Sequence, residues 1–245
     1  MARDRSAAAL VAAALLALGT AAGCGGSGGS KGAAKPAAAP HPAAAPPTTA
    51  ELRARLLTLA DLPTGFVSDS DTADANGEMS SADPHCRAMT DLMNSDGHPA
   101  GALATADASF TRSQFGPNIA TGLAGFATPE AAQQLLAGVT EAMHTCTKLT
   151  ETDKDGSSYD FLVAPLSFPA TGDASGAIRV VTDVDDLPAQ VDIVLVRVGS
   201  TLLYVADTGF GTADTDPNLT QQVVSRAVAK VTNSSATPRS APTVI

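Results

Sequence analysis

The chain has 245 residues, with 25 Asp and Glu against 15 Lys and Arg and a formal net charge of −10. That acidity disfavours nucleic acid and anionic lipid headgroups as partners. The absence of Trp, with only 4% aromatic residues, argues against an aromatic carbohydrate-binding platform.

Arg3 and Arg5 open the chain, Ala7 to Leu18 is almost wholly Ala, Leu and Val, and Ala21-Ala22-Gly23 leads into Cys24. A basic start, an apolar run and small residues are the order of a secretory signal. The run falls short of the roughly 20 residues that a spanning helix needs. Asp4 separates the two arginines, which favours a Sec-type route over a twin-arginine one. Ala-Ala-Gly-Cys resembles the bacterial lipobox, with Ala21 where Leu is favoured. The resemblance implies cleavage before Cys24, a diacylglyceryl thioether on its sulfur and acylation of its new amine. Two or more acyl chains anchor stably where one binds reversibly. Ordinary cleavage nearby would instead leave Cys24 a free thiol.

From Gly25 to Ala50 the chain is Gly and Ser, then Ala and Pro, with Lys31, Lys35 and His41 the only charged or titratable residues. Such a stretch cannot build a core. It predicts a tether, flexible in its Gly/Ser part and more extended in its Pro part. The expected organisation is a signal over residues 1–23, lipidated Cys24 and tether over 24–49, one domain over 50–232 and a disordered tail over 233–245.

Within the domain, Ala50 to Leu59 predicts a short amphipathic helix ended by Asp61-Leu62-Pro63-Thr64-Gly65. Asp83-Pro84, Thr128-Pro129 and Asp216-Pro217 each place an N-cap residue before a proline at the first helical position. The apolar stripes that follow are Cys86, Met89 and Met93, then Leu135, Val139, Met143 and Cys146, then Leu219, Val223, Ala227 and Val231. Ser109 to Phe115 and Ile119 to Phe126 predict an antiparallel pair, and Tyr159 to Val163 and Ile178 to Val184 two further strands. Val191 to Val198, Gly199-Ser200 and Leu202 to Val205 predict a type II′ hairpin. Its apolar residues fill both parities, so it belongs at the centre of a sheet covered on both faces. The fold class is therefore α+β: a mostly antiparallel β-sheet flanked by amphipathic α-helices.

If Cys24 is lipidated, Cys86 and Cys146 remain as a pair, and outside the cytoplasm a disulfide is the default. His85 and His144 lie beside these cysteines and offer a metal site as the alternative, but no Cys-x-x-Cys spacing supports it. Asp69, Asp71 and Asp74, Asp183, Asp185 and Asp186, and Asp214 and Asp216 are spaced carboxylates without the frame of an EF-hand loop. They read as turn residues, and Asp216 as a cap. His98 falls in a Gly/Pro loop. Tyr159 and Tyr204 suit half-buried strand positions or a cleft wall. No catalytic or cofactor motif is present in the sequence.

The opening Leu56-Leu57-Thr58-Leu59-Ala60-Asp61-Leu62-Pro63-Thr64-Gly65-Phe66, the spacing of Cys86 and Cys146, and the hairpin Val194 to Ser200 before a last amphipathic helix resemble the PknH-like extracellular sensor domains. These occur on actinobacterial receptor kinases and on stand-alone lipoproteins. The resemblance spans most of Leu52 to Val231. It implies an antiparallel sheet flanked by helices and a cleft for an unknown ligand. Kinase-linked members carry two disulfides, whereas this chain has cysteines for one after lipidation. The expected function is a lipid-anchored, extracytoplasmic ligand-binding or sensor-like module without catalytic activity or cofactor. Its partners would be the membrane, through Cys24, and a small molecule, lipid or envelope protein. An accessory factor docking a membrane protein and a hydrolase with a site built from scattered residues are the alternatives.

Overall fold

A computed structural model of the chain describes residues 45–69, 77–184, 187–211 and 215–235. Cys24, most of the tether and the tail beyond residue 235 lie outside the described residues, as do Asp71, Asp74, Asp185, Asp186 and Asp214.

The helices begin where their capping residues stand. Helix α1 (Thr49–Arg53) opens on a capping box: Thr48 accepts from the Glu51 amide, and the Glu51 carboxylate accepts from the Thr48 amide at 2.8 Å. It stops well short of the expected Leu59. A second box, in which Asp61 accepts from the Thr58 amide at 2.8 Å, holds Thr58 extended and starts a separate 3-10 turn at Leu59–Asp61. Asp83 caps a 3-10 turn (Pro84–Cys86) that leads into α2 (Arg87–Met93). Thr128 caps α3 (Pro129–Thr145), accepting from the Ala131 amide at 3.2 Å. The buried stripe of α3 is Ala132, Leu136, Val139 and Met143, so Leu135 flanks it, and Cys146 ends the helix in extended backbone. Asp216 accepts from the Asn218 amide ahead of α4 (Pro217–Ser235), which runs past residue 232.

Among the described residues, nine antiparallel strands form one sheet: β1 (Val67–Asp69), β2 (Glu78–Ser80), β3 (Ala104–Thr111), β4 (Asn118–Gly125), β5 (Lys148–Thr152), β6 (Ser158–Pro165), β7 (Ala174–Val184), β8 (Leu187–Val198) and β9 (Thr201–Phe210). Their order is β1-β3-β4-β9-β8-β7-β6-β5-β2, which puts the β8–β9 hairpin at the centre, as its composition requires. Gly199 turns that hairpin at a φ of +59°. The expected strand over Ser109 to Phe115 is instead β3, shifted toward the N-terminus. Arg112 to Pro117 form the connection to β4, with a cis Gly116–Pro117 bond, and Phe115 is exposed. The small residues Ala104, Ala106 and Ala108 hide the alternation of β3 from a hydrophobicity reading.

Chain continuity forces this sheet to curl. Nine strands at the usual spacing would be about 38 Å across. Yet β1 and β2, its two edges, are separated in sequence only by residues 70–77, and from Asp69 to Glu78 the chain reaches about 32 Å at most. The curl closes around α2 and α3. Asn94, just after α2, bonds to Met79 on the β2 edge, while Ser95 lies over Gly122 and Tyr204, far across the sheet.

Each face carries its own core. On the concave face, Ala124, Val163, Ile178, Val180, Leu195 and Leu202 pack with Cys86, Met89 and the buried stripe of α3. On the convex face, Ala106, Phe110, Leu123, Val194, Val196, Leu203 and Val205 pack beneath α1 and α4. Helices α1 and α4 cover only the β3-β4-β9-β8 half of that face.

Candidate ligand site on the concave face and a buried acid pair on the convex face

Helix α2 is pinned at both ends. At its start Cys86 is joined to Cys146 in a buried disulfide with a Cα–Cα distance of 4.9 Å. The bond therefore ties the turn before α2 to the residue that ends α3. Beyond the C-terminus of α2, the Asn94 amide group mimics a strand: it accepts from Met79 N and donates to Met79 O, both at 2.8 Å. Its last residues, Leu92 and Met93, stand between two hollows over the concave face.

The larger hollow, about 220 Å³, is lined by Met79, Met93, Phe161, Val180, Val191 and Ile193. Glu151 sits at its rim and accepts from Gly77 N at 3.0 Å. The smaller, about 60 Å³, lies under residues 95–99 and against Leu92, Leu195, Leu202 and Tyr204. Tyr204 lies flat across Gly122; a Cβ there would fall 2.2 Å from its ring. Burial, reinforced by the charge of Asp107, pushes the Tyr204 phenol above its ordinary range and keeps it a neutral donor. Thioethers, an aromatic ring and branched aliphatic groups with few polar atoms suit an apolar ligand portion.

The uncovered half of the convex face is different. A concavity of about 470 Å³ has Leu162, Val181 and Gln190 in its floor and the Lys148–Asp160 ion pair, at 2.8 Å, on its rim. Beside it two carboxylates face each other across the β8–β9 ladder. Asp192 and Asp207 are register partners, and both are fully buried. Asp192 takes a two-pronged contact from Arg179, Nε to Oδ1 at 2.7 Å and Nη2 to Oδ2 at 2.8 Å, and a hydrogen bond from Thr215 at 2.9 Å. Gln190 donates to the same Thr215 hydroxyl. Among the described residues, Asp207 receives only the Thr220 hydroxyl, at 2.8 Å on Oδ2, and its Oδ1 has no hydrogen-bond partner. Burial, with the charges of Asp192 and Asp216 adding to it against Thr220 and Arg112, pushes Asp207 up to about 6.

Most of the residues singled out in the sequence fall elsewhere. Cys86 and Cys146 meet in the disulfide, which leaves neither sulfur a thiolate for a metal. His85 is exposed and bonds Asp83 at 2.9 Å, His98 bonds Thr105 at 2.8 Å, and His144 is exposed near the end of α3. Asp69 belongs to β1, and Asp183 is exposed in β7. Tyr204 takes the expected half-buried strand position and borders the smaller hollow, and Tyr159 is half-buried in β6. Sequence reasoning missed Asp192 and Asp207. The signal was there: each is an acid set beside apolar residues within its strand, Val191-Asp192-Ile193 and Val205-Ala206-Asp207.

A nine-stranded antiparallel sheet wrapped on a disulfide-pinned helix pair, with helices on its other face, defines an α+β domain of one particular build. The model of the PknH-like extracellular domain matches residues 47–230, and the chain belongs to that family. Among solved structures, it is similar to the extracellular domain of PknH from Mycobacterium tuberculosis, with a TM-score of 0.55 and 15% identity over 77% of this chain and 98% of that one. At that identity the likeness establishes the fold. No curated protein matches the chain. No helix among the described residues is long and apolar enough to cross a membrane.

Proposed function

We propose that the protein is a non-catalytic, sensor-type module on the extracytoplasmic face of the cell membrane, anchored by lipid on Cys24, and that it binds a ligand through an apolar group in the concave-face hollows. The observation that carries the ligand site is the pair of hollows on either side of Leu92 and Met93, over one apolar floor and beneath a helix held at both ends. Each is below the roughly 300 Å³ of an ordinary ligand pocket. A ligand that shifts the Leu92–Met93 edge would join them, so occupancy would be felt by α2 and, through the disulfide, by α3. Membership in a family of extracellular domains supports the location, and the signal-like N-terminus with Ala-Ala-Gly-Cys supports the anchor.

The test is native mass spectrometry of the mature protein purified from its own host. A retained small molecule or lipid is expected, lost when Val191→Trp fills the larger hollow without touching the disulfide. Bare protein that co-purifies with a membrane protein, unaffected by Val191→Trp, would overturn this reading in favour of an accessory factor.

A further inference from the structure

A carboxylate is costly to bury without a cation or a full set of donors. Asp192 has both, whereas among the described residues its cross-strand partner Asp207 has one hydroxyl and an unpartnered oxygen, although neither residue has any exposed surface. The surroundings of Asp207 offer little compensation. From β8 it faces Asp192, whose charge Arg179 of β7 balances. From β4 its register partner is Ile119, an apolar residue. Asp216 adds a second negative charge at the start of α4, and Arg112, after β3, acts on it only through the field while stacked 4.6 Å over the Phe66 ring. A proton is the smallest species that relieves such a group, and the ordinary pKa of Asp207 is displaced to about 6 in that sense.

The carboxylate also sits at a joint. Thr220 lies in the first turn of α4: its amide donates to Asp216 O at 2.9 Å, and its one hydroxyl proton is shared between Asp207 Oδ2, at 2.8 Å, and Asp216 O, at 3.1 Å. Thr215, just before that turn, is held by Asp192 and itself holds Gln190, part of the floor of the 470 Å³ concavity. The acid pair thus fastens the start of α4 to the sheet beside an open concavity.

From this geometry we infer that Asp207 is a proton-operated latch: protonated, it seats the first turn of α4 on the sheet, and ionised, it loosens that turn and the neighbouring wall at Thr215 and Gln190. External acidity is then an input to the domain, separate from any ligand on the concave face. The sign follows from linkage. Seated Asp207 binds its proton more tightly than a solvated aspartate, so seating is favoured in acid, weakens as pH rises from about 4 to about 6, and loses nothing further above that window.

Hydrogen exchange on the full mature chain in detergent tests this. The opening constant at the Thr220 amide, corrected for the intrinsic rate, should rise about tenfold between pH 5 and pH 7, with no matching rise at Val231 far along α4. Asp207→Asn, which cannot ionise, should abolish the rise. Opening that does not change with pH, an equal rise at Val231, or a rise that survives in Asp207→Asn would overturn the latch. Should Asp207→Asn fail to fold, the Asp207 carboxyl carbon in the unmodified chain decides: a titration midpoint near 6 supports the latch, and one below about 4.5 overturns it.

Discussion

Among single residues, Arg179 makes the most direct test of the convex-face acid pair. Its guanidinium spans both oxygens of Asp192, a residue with no exposed surface, from the neighbouring strand β7. Removing one partner of such a pair strands a buried charge, which costs more than the pair itself contributes. Arg179→Met should therefore lower stability by roughly 3 kcal/mol, at the low end of the range for such pairs because Arg179 reaches solvent. Urea unfolding measures this, and Asp192→Leu added to Arg179→Met should restore most of the loss. Unchanged stability in the single variant would show that Asp192 is solvated through another route. A polar residue inside a β-branched run was legible in the sequence as an anomaly. Its partner was not, since the 13-residue separation of Arg179 and Asp192 becomes a contact only once β7 and β8 pair in register.

Among the elements, α2 depends most on covalent help. It has seven residues, too few for an isolated helix to hold its shape. Its position is fixed by the Cys86–Cys146 bond, the Asp83 cap and the Asn94–Met79 pair. Closing a loop with a sequence separation of 60 contributes roughly 4 kcal/mol in the chain-entropy model. Replacing both cysteines by Ser should lower unfolding stability by about that much. It should also expose the concave face, read as increased exchange at Leu92 and Met93 and as increased binding of an apolar dye. Loss of stability with α2 still protected would mean that the bond acts only on the unfolded chain. The helix starts were readable because caps and prolines act within a few residues. The early end of α1 was readable in principle too, since Thr58-x-x-Asp61 is a second capping box inside the stretch expected to be helical.

At the scale of the whole molecule, the N-terminus and the domain make separable claims. Cys24→Ser should stop lipid-dependent processing and release or strand the protein, while the disulfide-linked domain keeps its thermal unfolding transition. Membrane fractionation with intact-mass analysis checks this, and a variant still membrane-bound at the same lipidated mass would remove the proposed anchor. The sheet also acts as one body. With β1 and β2 at opposite edges and joined by a short stretch of sequence, curvature is a property of the entire strand order and of no single strand.

The α+β class, the capped starts of three helices and the central hairpin were legible in the order of residues alone, and the pairing of the two domain cysteines only on the premise of a lipidated Cys24. The helix starts and the hairpin rest on short-range chemistry: a cap and its amide, a glycine turn, or the parity of apolar residues. The strands β1, β2 and β5 escaped it because they are short and polar, and the bounds of β3 were displaced because alanines blur its alternation. Tertiary structure alone decided which face each strand shows to which helix. It placed Met79, Met93, Phe161 and Val191 around one hollow, and it set Asp192 opposite Asp207. Those sites exist because strands distant in sequence share a register, and in a curled nine-stranded sheet the register brings together residues that no local pattern connects.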